Sequence, residues 1–202
     1  MSLRKAARLL DPVALGVFVD SLVFPHRYFF GVLRREIGKM GSMQYQYRIT
    51  KYSPEFRNLS GAYLRDDWTS RADIGRQFNG ILLTSDRYRI VESAYLTVAS
   101  AFLAEAGISQ LKVVGLENHQ AFKGAPEEGA VVSSAEVLTI LQSLLREEFW
   151  CKLEGSSSFL HIGYDYYMYF EVPKECVNSS ALARSLGLFV ETYRSPYARN
   201  EG

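Results

Sequence analysis

Apolar and polar residues alternate from Met43 to Thr50, in the order Met-Gln-Tyr-Gln-Tyr-Arg-Ile-Thr. Successive side chains of a β-strand point to opposite faces of a sheet, so this alternation predicts a strand with one buried face. The pattern begins sharply at Met43. We therefore expect a single domain that covers residues 43–202, preceded by a separate leader.

Three later segments have the period of an α-helix. In residues 84–106 the apolar side chains fall on one stripe, and Gly107 follows, a residue type that often ends helices. Ser133 and Glu136 have the spacing of a capping box, in which each side chain accepts a backbone N–H at the start of a helix. Residues 178–186 predict the third helix.

Five further segments are short and rich in β-branched and aromatic residues, which is typical of strands. They are residues 110–116, 148–154, 158–163, 166–172 and 188–194. Together with the helices they predict an α+β fold, in which a largely antiparallel sheet carries the helices on one face.

The period of two separates the two faces of the predicted sheet. One face is apolar, and we expect it to lie under the helices. The other, called the second face below, mixes rings with charges: Trp150, Lys152, Glu154, Phe159, His161, Tyr167, Tyr169, Glu171, Phe189, Glu191 and Tyr193. If it is open to solvent, it presents the residue types of recognition surfaces. The alternative is that its rings pack under one another and under residues 51–66.

Residues 51–66 are rich in turn-forming residues and predict a long loop, a feature often linked to function. At its end, the acidic pair Asp66 and Asp67, just before Trp68, is a candidate metal or partner site. The alternative is that these carboxylates precede a helix start, where the helix dipole stabilises negative charge. A capping box over residues 70–73 predicts a short helix that continues to Phe78.

Residues 1–42 differ from the rest in charge, with seven lysines and arginines against three acids, a net charge of +4. Basic residues followed by an apolar run have the order of a signal peptide, but Asp20 and Pro25 interrupt that run. We expect neither a signal peptide nor a membrane span. Two interpretations stay open: a basic amphipathic helical leader, or sequence upstream of a native start at Met43.

Composition excludes several classes of function. The chain has 202 residues and a formal net charge of +1, so no bulk electrostatic attraction draws it to nucleic acid or to an anionic membrane. Two cysteines are too few for a disulfide framework, and a cytoplasmic location follows as the default. Phosphate-loop, dinucleotide-binding, zinc-protease and serine-hydrolase motifs are absent from the sequence, so we expect no cofactor and no metal.

His161 is the best placed of the three histidines for acid–base chemistry. On the second face, Glu171 and Lys152 lie on neighbouring predicted strands. A histidine with a carboxylate and a cation is the minimum set for general acid–base attack on a phosphodiester. The alternative is an ordinary surface histidine.

Several short segments resemble small, uncharacterised bacterial proteins of the kind found as immunity proteins beside polymorphic toxins. The likeness covers about residues 45–197 and rests on residues 47–52, 67–70, 73–75, 150–154, 186–191 and 195–197. No catalytic residues are attached to these motifs. The resemblance implies an intracellular protein that binds and blocks one partner.

The leading hypothesis is therefore a small cytoplasmic binding or inhibitor module that recognises one protein partner. Its expected contact residues are Trp150, Tyr167, Tyr169, Glu171 and Glu191, joined by Asp66, Asp67 and Trp68. A small hydrolase or nuclease-like enzyme that uses His161 with Glu171 is the alternative. A third possibility is a subunit that pairs with itself through the second face as a homodimer.

Overall fold

The computed structural model describes residues 44–163 and 165–198. The strands are β1 (Tyr45–Thr50), β2 (Gln77–Phe78), β3 (Ile81–Leu82), β4 (Gln110–Glu117), β5 (Val131–Ser133), β6 (Trp150–Glu154), β7 (Phe159–Ile162), β8 (Met168–Val172) and β9 (Phe189–Thr192). The helices are α1 (Ser85–Ala106), α2 (Ser134–Leu145) and α3 (Val177–Ser185). The predictions for residues 1–42 lie outside the described residues.

Seven strands form one sheet in the order β5-β4-β6-β7-β8-β1-β9. Each of these neighbouring pairs is antiparallel. The strand β1 lies between β8 and β9, so the first strand of the sheet is paired on both sides by strands from the end of the chain. The predicted α+β fold with a largely antiparallel sheet is confirmed.

The apolar face of the sheet forms the core together with the helices. Phe102 of α1 stacks on Phe170 of β8, with ring centroids 5.1 Å apart. Ile49, Leu153 and Met168, each from a different strand, are fully buried in the same cluster. The expectation that the apolar face lies under the helices is confirmed, and the second face points away from this core.

The predicted starts of α1 and α2 are confirmed to within one residue. The Thr84 side chain accepts the backbone N–H of Arg87 at the start of α1. Ser133 and Glu136 form the expected capping box at the start of α2. Of the helices within residues 44–163 and 165–198, none combines the length and the apolar character that a membrane span requires.

The short helix predicted for residues 70–78 is wrong beyond its first turn. The capping box is present, but it caps a single 3-10 turn over Arg71–Asp73. The chain then forms the two-stranded hairpin of β2 and β3, with Asn79 and Gly80 at its turn, where φ is 48° and 75°. Asn-Gly takes positive φ at both central positions of a tight hairpin turn, and this local preference determines the structure here.

Candidate functional site

The second face is partly covered by the chain that leaves β9. The rings of Tyr193 and Tyr197 lie 6.1 and 5.9 Å from the ring of Tyr169, which is buried between them. Tyr197 also lies 6.1 Å from the ring of Trp150. Trp150 and Tyr167 remain half-buried. Of the predicted contact residues on this face, Tyr169 is therefore enclosed, whereas Trp150 and Tyr167 keep part of their surface in contact with solvent.

An ion-pair unit lies beneath Tyr193, a residue that is 41% exposed. Arg48 of β1 donates from Nε to Glu191 Oε2 at 2.8 Å, and its guanidinium carbon lies 3.9 Å from the centroid of the Tyr193 ring. Burial lowers the pKa of Arg48, but the hydrogen bond and the charge of Glu191 outweigh it, and the net direction is upward. A charged arginine is thus held in one position against an exposed aromatic ring.

A second arginine joins this unit from the loop. Arg57 Nη2 lies 3.6 Å from Glu191 Oε2, and Nη1 donates to the Tyr167 hydroxyl at 3.1 Å. The ring of Tyr52, also from the loop, lies 5.3 Å from the ring of Tyr167. In this part of the second face, the rings thus pack under residues 51–66, which was the alternative to a fully open surface.

The alternation of residues in β1 indicates the position of Arg48. In β1 the apolar residues Tyr47 and Ile49 point into the core. By the period of two, Arg48 and Gln46 between and beside them belong to the second face. The position of Arg57 could not be predicted in the same way, because an irregular loop has no such period.

His161 lines a polar cleft of about 570 Å³ on the second face. Its ring stacks on the ring of Phe159 at 4.2 Å, and its Nε2 lies 3.6 Å from Glu154 Oε1. The side chain is only 1% exposed. A general base has to reach the proton that it removes, so this enclosure fits a packing role for the imidazole better than a catalytic one.

Glu171 and Lys152, the other members of the predicted catalytic set, make contacts of their own. Glu171 accepts a hydrogen bond from Gln46 Nε2 at 2.6 Å and also lines the polar cleft. Lys152 Nζ donates to the carbonyl oxygen of Tyr197 at 3.5 Å. The structure thus brings Glu154, a different carboxylate from the predicted one, against the imidazole.

Trp68 and its two acidic neighbours occupy different environments. Trp68 is buried against the ring of Tyr166, with centroids 5.0 Å apart. Lys51 Nζ lies 4.0 Å from the Trp68 ring and 3.1 Å from Asp67 Oδ1, and burial lowers the pKa of this amine to about 8 despite the nearby carboxylate. Trp68 is thus packed inside the molecule, Asp67 is half-buried in its ion pair with Lys51, and Asp66 is exposed.

The structure forms a second pocket, of about 400 Å³, beside Trp150. It lies where β4, α2 and β7 end and β6 begins. Glu117, Glu147 and Glu148 are among its lining residues. The adjacent pair Glu147-Glu148 is the only sequence feature that could have indicated it, and adjacent carboxylates on their own do not specify a pocket.

Cys151 and Cys176 are free and buried, and burial raises their pKa to about 12 and about 11. Across residues 44–163 and 165–198, no group of three or more His, Cys, Asp and Glu side chains is arranged to hold a metal ion.

Comparisons of the chain with family models, with curated proteins and with solved structures find no match. The resemblance to immunity proteins stays a prediction from the sequence motifs.

Proposed function

We propose that the protein is a small binding module that recognises one protein partner through the second face, in the manner of an immunity protein that blocks a toxin. The observation that carries the proposal is the unit of Arg48 and Glu191 beneath the exposed ring of Tyr193. Trp150, Tyr167 and Glu171 extend the same surface.

A recognition surface gains affinity when its anchor residues are fixed before the partner arrives, because less conformational entropy is lost on binding. Here Glu191 holds Arg48 at 2.8 Å, and Arg57 holds the Tyr167 hydroxyl at 3.1 Å. Tyrosine and arginine are also the residue types enriched among the strongest contributors to protein interfaces. The surface is therefore preorganised for a partner.

The hydrolase alternative receives less support from the same face. His161 is enclosed between Phe159 and Tyr197, with ring centroids 4.2 and 6.2 Å away. Substrate would have to displace this packing before it reached the imidazole. We therefore propose binding rather than hydrolysis. The two free cysteines fit the expected cytoplasmic location, where disulfides are rare.

The test is affinity capture from a lysate of the source cells with the tagged full chain, quantified by mass spectrometry. We expect one stoichiometric partner with the native protein. The Tyr167→Ala, Tyr193→Ala double variant should capture at least tenfold less of it, because truncation of central aromatic anchors commonly costs about 2 kcal/mol or more.

The control is Val177→Ala, which shortens an exposed apolar side chain on α3, away from the second face. It should capture the partner as the native protein does, and circular dichroism should show that both variants are folded. Equal capture by the double variant, or no stoichiometric partner with the native chain, would overturn the proposal.

A further inference from the structure

The pocket beside Trp150 has an apolar interior. Leu144, Leu145, Phe149 and Tyr166 line it and are buried, and Ile162 completes the apolar wall. The Trp150 indole is fixed, because its Nε1 donates to the carbonyl oxygen of Ile162 at 3.0 Å. A pocket of about 400 Å³ is large enough for one long side chain, and its interior suits an aliphatic or aromatic stem.

Three carboxylates surround this interior, together with His119, whose Nε2 lies 3.6 Å from Glu117 Oε2. Glu117, Glu147 and Glu148 line the pocket, and its described lining contains no lysine or arginine. The carboxyl end of α2 lies in the same place, since Leu144 and Leu145 are its last two residues. The partial negative charge at the end of a helix favours a cation there, which adds to the effect of the carboxylates.

A β-bulge brings Glu117 to this position. Val114 is paired with Lys152, and Glu117 with Trp150, so β4 contains one more residue than β6 between these pairs. Gly115, in this interval, has a φ of 67°. By the period of two, residue 116 would otherwise lie opposite Trp150, so the bulge pairs Glu117 with Trp150 instead.

Glu147 has a left-handed backbone conformation, which glycine adopts with less strain than any residue with a side chain. The helices α1, α2 and α3 end in the same motif, in which two successive N–H groups bond to carbonyls of the last turn. The left-handed residue of this motif is Gly107 after α1 and Gly187 after α3, but it is Glu147, with a φ of 59°, after α2. At the end of α2, Glu147 therefore has a backbone conformation that side chains disfavour. Its Oε2 accepts a hydrogen bond from Ser70 Oγ at 2.8 Å.

We propose that this pocket binds an arginine or lysine side chain of the protein partner, with the stem against Trp150 and Phe149 and the charge among the three carboxylates. The inference rests on the proposed function, because it assumes that the ligand belongs to a protein. It adds that the partner's contact surface is basic.

The test uses two peptides that differ in charge and share nearly the same shape, acetyl-Phe-Arg-amide and acetyl-Phe-citrulline-amide. Each is titrated into the ¹⁵N-labelled full chain and followed by NMR at the Trp150 indole and at the amides of residues 147–148. We expect saturable shifts with the arginine peptide, and an affinity at least fivefold lower for the citrulline peptide.

Three variants make the result specific. Glu117→Gln with Glu147→Gln should remove the preference for arginine, whereas Glu175→Gln, an exposed carboxylate outside the pocket, should keep it. Glu147→Gly is compared in a Ser70→Ala background, so that the hydrogen bond between these two side chains is absent from both proteins. There it should raise the midpoint of thermal unfolding and weaken binding of the arginine peptide. A carboxylate with no role in binding would give the first effect without the second.

Equal affinity for the two peptides, or no saturable shift at millimolar concentration, would overturn the inference. Capture of the partner distinguishes a failure of the pocket inference from a failure of the proposed function. If the partner is lost with the tyrosine variant but kept by Glu117→Gln with Glu147→Gln, the pocket inference fails and the proposed function stands. If the arginine peptide binds but no protein is captured, the proposed function fails.

Discussion

At the scale of single residues, Lys51 is notable because its charged amine is buried. Its amine is buried between the rings of Tyr52 and Trp68, each 4.0 Å away, with Asp67 as its ion-pair partner. Burial lowers its pKa from the ordinary 10.5 to about 8. Between these two values the unfolded chain binds more protons than the folded one, so Lys51 makes the folded state gain stability as the pH rises.

Comparison with Lys51→Met should isolate this effect. From pH 7 to pH 9, the free energy of unfolding of the native protein should rise relative to that of the variant by about 1 kcal/mol. Urea unfolding at both pH values measures it. Both proteins contain the same buried thiols and tyrosines, whose contributions cancel in the difference.

Lys174→Met, at an exposed lysine, serves as the control and should show no such dependence on pH. A difference between native protein and Lys51→Met that is the same at pH 7 and pH 9 would contradict the lowered pKa.

At the scale of helices and strands, local chemistry determined most of what the sequence could predict. The predicted bounds of α1, residues 84–106, differ by one residue from the observed Ser85–Ala106, because apolar period, cap and terminal glycine all agree there. The hairpin of β2 and β3 was missed although Asn79-Gly80 is a strong turn signal, since its strands have only two residues each. The three-residue strand β5 was missed because three residues are too few for a period.

The capping box of α2 gives a test at this scale. In Ser133→Ala the backbone N–H of Glu136 loses its acceptor, so the free energy of unfolding should fall by about 1 kcal/mol. Urea unfolding measures the change. Ser133→Thr, which keeps the hydroxyl, should recover most of it, and Thr139→Ala on the exposed side of α2 should not destabilise the protein. A loss as large in Thr139→Ala would show that the cap is not the cause.

At the scale of the whole molecule, the candidate site could be predicted only in part. The period of two identified the aromatic and charged residues of the second face, because that information lies within each strand. It could not show that Tyr197 covers Tyr169, or that β4, α2, β6 and β7 meet in one pocket. Such arrangements depend on how distant elements pack, and single-strand patterns do not contain that information.

The cover over the second face can be tested directly. Tyr197 is half-buried, with ring contacts to Trp150, His161 and Tyr169. Tyr197→Ala should lower the free energy of unfolding by about 2 kcal/mol, roughly half the cost of truncating a fully buried ring. In a Trp68→Phe background, where Trp150 is the remaining tryptophan, its fluorescence should shift to longer wavelength. An unchanged spectrum would show that the ring does not shield the indole.

The position of β1 in the sheet has a consequence for synthesis. Gln46 of β1 and Glu171 of β8, which pair in the sheet, are 125 positions apart. At about 5–20 residues per second, the ribosome delivers β8 of order ten seconds after β1. During that interval both edges of β1 lack their partner strands. The sheet is complete only when β8 and β9 have emerged from the ribosome. A chaperone that holds the nascent chain, or slow translation of the final third, should therefore alter the yield of native protein more than it would for a fold built from local pairs.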